Sequence, residues 1–184
     1  MSSKVFVVGR NPQDVSAALG LAKAIADSSG SSISALVLSG GDELPKVASG
    51  IASEGYAVAG IGHAPELLAA ALRAVVRRDE LYAVVAPALK DLTDALARFS
   101  AYLSIPMFTE VTEVAQGQGG SLTIRRAALA GRAVVEYSSA PPISATVAPG
   151  RFPAPPPSPS AQLRVNEVKV EAQGPSLIHI LRCR

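Results

Sequence analysis

The stretch LYAVVAPALKDLTDALARFSAYLSIPMFTEV, residues 81–111, decides the fold. It begins with a run that is apolar throughout, which is typical of a strand covered by helices on both faces. An amphipathic helix is predicted after Lys90, because apolar residues recur there at helical spacing, at Leu92, Leu96, Phe99 and Leu103. A short β-rich run and an amphipathic stretch therefore form one repeat of a βα pattern.

The same repeat continues upstream as far as Lys4. The runs KVFVVG (4–9), ISALVLSG (33–40) and YAVAGIG (56–62) are again apolar throughout and predict parallel strands. Three helices are predicted between the strands. The first is capped by Asn11, begins at Pro12 and stops before Gly30; the second covers Asp42 to Ser53; the third begins at Pro65.

The pattern changes after Pro106 to four short runs with no helix between them, MFTEVTEV, SLTIRRAALAG, RAVVEYSSA and ISATVAPG. We expect them to be antiparallel additions to one edge of the sheet, with turns at Gly119-Gly120 and at Gly131. Residues 1–152 are thus predicted to form a Rossmann-like three-layer α/β domain with a mostly parallel sheet, closed by a small antiparallel β meander.

The C-terminal part divides into three further segments. PAPPPSPS, residues 153–160, predicts an extended linker of polyproline type. Residues 161–174 alternate apolar and polar side chains and predict an extended arm whose sheet partner we expect outside this chain. Residues 175–184 resemble the translation of a sequencing adaptor, so we expect the gene to continue beyond Gly174 and exclude His179 and Cys183 from functional arguments.

Composition excludes several classes of function. The net charge of +2, the 4% aromatic content and the absence of Trp disfavour nucleic acid as a partner. The longest apolar stretch is interrupted by Arg73, so we expect no membrane insertion. The apolar run that ends at Gly9 is too short for the core of a signal peptide, so we expect no export. One cysteine provides neither a disulfide framework nor a metal site. We expect a cytoplasmic protein of a bacterium or archaeon.

The sequence contains no recognisable active site. It has no G-x-G-x-x-G after the first strand, no phosphate-binding P-loop and no G-x-S-x-G elbow. Gly60, Gly62 and His63 lie after the third strand, where glycines usually only form the turn and a lone histidine is usually solvated. Asp91 and Asp94 fall in the first turn of the fourth helix, where carboxylates complement the helix dipole. We therefore predict no catalytic, cofactor-binding or metal-binding residue.

Three segments together resemble the N-terminal domain of electron transfer flavoprotein α subunits. The first is YAVVAPALKDLTDALARFSAYLSIPMFTEVTEV, the second RRAALAGRAV, similar to the family's R-x-x-Y-A-G-N-A-x turn, and the third TVAPGRFP, similar to T-V-R-P-G-x-F. The family-motif positions are Arg98, Glu110, Arg126, Gly131, Pro149 and Gly150.

The chain departs from the family pattern at five other positions of these segments. The family's glycine-containing turn before the fourth helix is here Leu92. The family's Pro before the helix Arg is Ala97, its Tyr is Leu129, its Asn is Arg132 and the Arg of the closing motif is Ala148. The resemblance therefore indicates a divergent member.

The resemblance implies an electron carrier and not an enzyme with its own substrate. In such proteins an αβ heterodimer holds FAD, accepts electrons from acyl-CoA or other dehydrogenases, as in fatty acid β-oxidation, and passes them to a quinone reductase or another acceptor. The flavin contacts come mainly from a later domain of the α subunit. This chain is thus expected to bind the β subunit and to bind no FAD alone.

Two other functions are compatible with an α/β domain. One is a stand-alone nucleotide-binding domain like those of stress proteins, for which the turn APALKD after the fourth strand lacks the glycines that a phosphate loop needs. The other is a hydrolase that uses His63 with Asp91 and Asp94, which no sequence feature brings together.

Overall fold

The computed structural model describes residues 3–59, 64–158 and 161–169. The apolar runs form strands, which are β1 Lys4–Gly9, β2 Ser32–Val37, β3 Glu54–Ala59, β4 Leu81–Pro87, β5 Met107–Gln116, β6 Leu122–Ala128, β7 Ala133–Ser139, β8 Ile143–Val147 and β9 Val165–Lys169. The amphipathic stretches form helices, which are α1 Pro12–Ser29, α2 Leu44–Ala48, α3 Pro65–Val75 and α4 Lys90–Leu103.

The nine strands of the described residues join one sheet in the order β7-β6-β5-β8-β4-β1-β2-β3-β9. Strands β5, β8, β4, β1, β2, β3 and β9 run parallel, and only the pairs β5–β6 and β6–β7 are antiparallel. Helices cover both faces. The predicted fold class, a three-layer α/β domain with a mostly parallel sheet and an antiparallel extension, is confirmed.

The sheet separates two hydrophobic cores. Along β1, Val5 and Val7 face the core formed with α1 and α2, whereas Phe6 and Val8 face the core formed with α3 and α4. This alternation explains why β1 is apolar at every position from Val5 to Val8, since each of its faces is covered by a helix.

Helix α1 has the predicted ends, but α2 is shorter than predicted. The Asp14 amide donates to Asn11 Oδ1 over 3.0 Å, and Gly30 ends α1 with φ 68°. The predicted helix over Asp42–Ser53 reduces to α2 after one 3-10 turn. A turn at Gly50, with φ 76°, stops it, and a Cβ there would lie 2.5 Å from Ser158 Cβ.

The expectation that all four late runs are antiparallel edge additions is wrong for β8. This strand lies between β4 and β5 and is parallel to both. All five of its residues are buried, which is typical of a central strand, and none is charged. The antiparallel meander therefore consists of β5, β6 and β7, with turns of positive φ at Gly119, Gly120 and Gly131 as predicted.

The expectation that the arm's partner lies outside the chain is also wrong. Strand β9 pairs in parallel with β3 over five residues, because the outer edge of β3 is open within the same domain. The Ser158 amide donates to Ser49 O over 2.8 Å, and Leu163 is buried. We call residues 152–158 and 161–169 the C-terminal strap. Residues 153–158 of the strap join no helix or strand. The predicted domain boundaries stay a prediction.

Candidate functional site

Open α/β sheets bind ligands where the strand order reverses, and here that point lies between the carboxyl ends of β1 and β4. The first residue after β1, Arg10, occupies this crevice. Its Nε lies 2.7 Å from Asp14 Oδ2 on α1, and its Nη1 lies 3.2 Å from Asp91 Oδ2 on α4. The hydrogen bond with Asp14 raises the pKa of Arg10 above its ordinary value, against a smaller effect of burial. The guanidinium is therefore already neutralised by two carboxylates.

This crevice does not fit a nucleotide or the pyrophosphate of a flavin. A phosphate would meet the carboxylates of Asp14 and Asp91, which repel it, at helix ends that otherwise attract anions. The turn after β4 offers no substitute, because the Ala88 amide already donates to Val147 O and the Leu89 amide to Pro87 O. The stand-alone nucleotide-binding function is thus disfavoured.

A second location at the same end of the sheet brings together the three motif segments. The Glu110 amide on β5 donates to Thr146 Oγ1 on β8 over 2.9 Å. Arg126 on β6 donates through Nη1 to Thr109 Oγ1 over 2.7 Å, and its Nη2 lies 4.0 Å from Glu110 Oε2. Residues from three distant parts of the sequence therefore fix one short segment of β5.

That segment of β5 is bulged and contains a left-handed residue. The pairing of β5 with β8 is irregular between Phe108 and Val111, where the register shifts. Its pairing with β6 is irregular between Val111 and Glu113. Glu110 has φ 54°, a region that non-glycine residues rarely adopt. Its carboxylate is consequently turned outward, with 62% of the side chain exposed.

Glu110 borders an open cleft of about 540 Å³ between α4 and the ends of β5 and β8. Its lining residues are Ala88, Lys90, Thr93, Asp94, Ala97, Thr109, Glu110 and Thr146. The walls carry both signs of charge, and Asp94 is occupied by Arg98 at 3.1 Å. The cleft can therefore receive charged side chains of another protein, but it contains no nucleophile paired with a base.

The other motif positions lie apart from this cluster. Arg98 on α4 bridges Asp94 and Glu66 of α3, with 3.2 Å to the latter. Gly131 lies at the tip of the β6–β7 hairpin. Pro149 and Gly150 form the turn after β8 that leads into the C-terminal strap, and Gly150 has φ 71°. What these residues do in function stays a prediction.

The carboxylates considered for catalysis are not a pair. Asp91 is bound to Arg10 and Asp94 to Arg98, so each has its own counter-ion. Gly60, Gly62 and His63 lie outside the described residues, as do His179 and Cys183. Within residues 3–59, 64–158 and 161–169, no group of acidic, His and Cys side chains is arranged to hold a metal. None of the helices in those ranges has the length and hydropathy to cross a bilayer.

The outer hairpin of the meander exposes large apolar side chains. Leu129 is 73% exposed, Val134 67% and Tyr137 39%. Strand β7 is the last strand of the sheet on this side, so the backbone groups of its outer edge have no strand partner in the described sheet. Its one charged residue, Glu136, is neutralised by Arg125 at 2.7 Å. This edge lacks the charges that usually protect exposed strands.

A separate charged cluster lies at the amino end of the sheet. Lys4 Nζ lies 3.3 Å from Glu54 Oε2 and 3.2 Å from Glu80 Oε2, and Tyr56 Oη donates to Glu54 over 2.8 Å. Burial lowers the pKa of Lys4, but the bonds with Glu80 and Glu54 outweigh it, so the pKa is raised. The bond from Tyr56 is the largest cause that lowers the pKa of Glu54. These contacts join β1, β3 and the start of β4, which indicates a structural role.

The sequence did not reveal the main features of either location. Arg10 and Asp14 have the spacing of a helical ion pair, but Asp91 is 81 residues away from Arg10. Glu110 was identified only as a motif position, and no local signal predicted its left-handed backbone.

The family model described as Electron transfer flavoprotein domain matches residues 11–173. The matched range contains the location around Glu110, the meander and all of β9, and it begins one residue after Arg10. No curated protein matches the chain.

Proposed function

Because this chain belongs to the electron transfer flavoprotein domain family, we propose that it is the N-terminal domain of an α subunit. Proteins of this family carry electrons and work with other subunits and redox partners. The complete protein would then be an αβ heterodimer that moves electrons through FAD from dehydrogenases to an acceptor such as a quinone reductase.

The observation that carries the assignment to the α subunit is the meeting of the three α-like motif segments. Glu110, Arg126 and Thr146 come from different segments and converge on one bulge of β5. Motif residues that meet in space are better explained by a shared structural or binding requirement than by chance similarity of each segment.

We assign to this domain the binding of the β subunit. The exposed apolar side chains of β7 and its hairpin support this role, since an unprotected strand edge is a natural surface for another chain. Val134 is the clearest contact residue, being 67% exposed on the outermost strand.

FAD would be held by a domain that follows the C-terminal strap. The closed crevice around Arg10 supports this division, because its two carboxylates disfavour the flavin's pyrophosphate. The redox chemistry belongs to the flavin, and this domain would orient the part of the protein that binds it.

The test is to recover the full gene with its neighbouring β-subunit gene and to co-express both proteins. We expect a yellow complex from the complete pair, and no binding when the present chain alone is titrated with FAD by calorimetry. The absence of a flavin-binding domain after the strap, or tight FAD binding by this chain alone, contradicts the proposal.

The partner surface is tested in the same complex. Val134→Lys should weaken binding of the β subunit, whereas Tyr102→Lys, which removes a 63% exposed aromatic side chain from α4, should not. Equal effects of the two substitutions would contradict the assignment to β7.

A further inference from the structure

Glu110 occupies a backbone conformation that its structural role alone does not require. A strand that must bulge with a left-handed residue normally has glycine there, since glycine adopts positive φ without a steric cost. This chain has glutamate at φ 54° instead. Strained non-glycine residues persist where the surrounding structure holds them and where function uses the result.

Three contacts hold the strained segment in place. Thr146 Oγ1 accepts the Glu110 amide, the Ala148 amide donates to Val111 O over 3.0 Å, and Arg126 is anchored to Thr109. All three act on the backbone or on a neighbouring residue. They leave the Glu110 carboxylate free to project from the bulge.

The carboxylate is incompletely paired. Arg126 lies 4.0 Å from it, beyond a hydrogen bond, while another nitrogen of the same guanidinium is bonded to Thr109. The carboxylate therefore has room for a second cation at hydrogen-bonding distance, and it borders a cleft open to solvent.

We propose that Glu110 is a docking residue that receives an arginine or lysine side chain of the β subunit. This inference rests on the proposed function and specifies one of its contacts. A cation fits because the exposed group is the Glu110 carboxylate, which also disfavours an anion. Arg126, on β6, pairs with Val135 of β7 and therefore shares a sheet face with Tyr137, one of the exposed apolar side chains of the edge proposed as the partner surface.

The experiment measures binding of the co-expressed full-length α subunit and its variants to the β subunit. Glu110→Gln should weaken binding about tenfold at low salt and reduce its salt dependence, since a charge pair is lost. Glu110→Asp should retain most of the affinity. The matched control is Glu167→Gln, an exposed carboxylate on β9 at the opposite edge of the sheet, which should bind like the wild type.

Glu110→Gly separates docking from folding. Glycine relieves the positive φ, so this variant should have a higher melting temperature than the wild type and yet bind as weakly as Glu110→Gln. Wild-type affinity in Glu110→Gln overturns the inference and leaves the proposed function standing. A wild-type protein that binds no β subunit overturns both. Loss of self-association in Glu110→Gln, seen by sedimentation, would assign the contact to a second copy and also overturn the inference.

Discussion

Gly20 is the residue whose substitution best tests whether the C-terminal strap is docked on the domain. It lies inside α1, where glycine is a poor helix former. A Cβ at this position would lie 2.5 Å from Pro153 O and 2.7 Å from Phe152 O. Both atoms belong to the backbone of the strap, so relief requires the strap to move.

Two opposing effects set the magnitude for Gly20→Ala. Alanine favours the helix by about 1 kcal/mol relative to glycine. Inserting a methyl group against packed backbone costs about 1–3 kcal/mol. The contacts of 2.5 and 2.7 Å are far below the normal separation, which places the cost in the upper part of that range. We therefore expect a net destabilisation of about 1 kcal/mol, or about 2–4 °C in melting temperature.

The assay is urea and thermal unfolding followed by circular dichroism. Ala17→Gly, at an exposed position of the same helix, calibrates the propensity effect and should cost about 1 kcal/mol. If Gly20→Ala instead stabilises the protein by about the amount that Ala17→Gly costs, the strap does not pack on α1 and the segment is an undocked extended linker of the polyproline type that the sequence predicted.

Two further predictions concern polar side chains of the sheet. Ser34 is fully buried and its hydroxyl has no hydrogen-bond partner among the described residues, so Ser34→Ala should raise the free energy of unfolding by about 1 kcal/mol. Ser144→Ala, which loses the hydrogen bond with Ser100, should lower the free energy of unfolding. Urea unfolding measures both variants, and a loss of stability in both would contradict the prediction. The lowered pKa of Glu54 contributes stability that is present above its unfolded pKa and is lost as pH falls through its folded value. Tyr56→Phe should therefore reduce the melting temperature at neutral pH, and the difference from the wild type should shrink in acid; a difference that is constant with pH would refute the role of Glu54.

The sequence predicted the helices and strands themselves more accurately than the order of the strands in the sheet. The central strands were predictable because burial on both faces leaves continuous apolar runs, and α1 because its cap and its end are local signals. The place of β8 was not, since strand order depends on contacts between distant residues. The burial of all five β8 residues distinguishes it from β7, and the uncharged run ISATV was the signal available for it.

The arm illustrates the same limit. Its alternating pattern predicted a strand that needs an edge, but no pattern within residues 161–169 identifies that edge as β3. A glycine of β3 marks where the arm packs, but this is visible only in the structure. At Gly55, a Cβ would lie 3.1 Å from side-chain atoms of both Leu44 and Val165, so the missing side chain admits the arm.

The candidate site was hidden for a different reason. The resemblance identified Glu110 and Arg126 as motif positions. What distinguishes the site, however, is the positive φ of Glu110 and the long distance of 4.0 Å between its carboxylate and the guanidinium of Arg126. Neither quantity has a compositional signature. The charge network of Arg10 was equally hidden, since its closure depends on Asp91 from another βα unit.

The two locations at the carboxyl end of the sheet both support the proposal that this domain binds a protein partner and that the flavin is held elsewhere. At the strand-order reversal, Arg10 is paired with Asp14 and Asp91, so its guanidinium is not free to bind a phosphate. Further along the same edge, the bulge of β5 turns the Glu110 carboxylate outward beside an unprotected strand. In the proposed function, the partner surface therefore lies at the lateral edge of the sheet, where a second subunit can contact it without entering the fold.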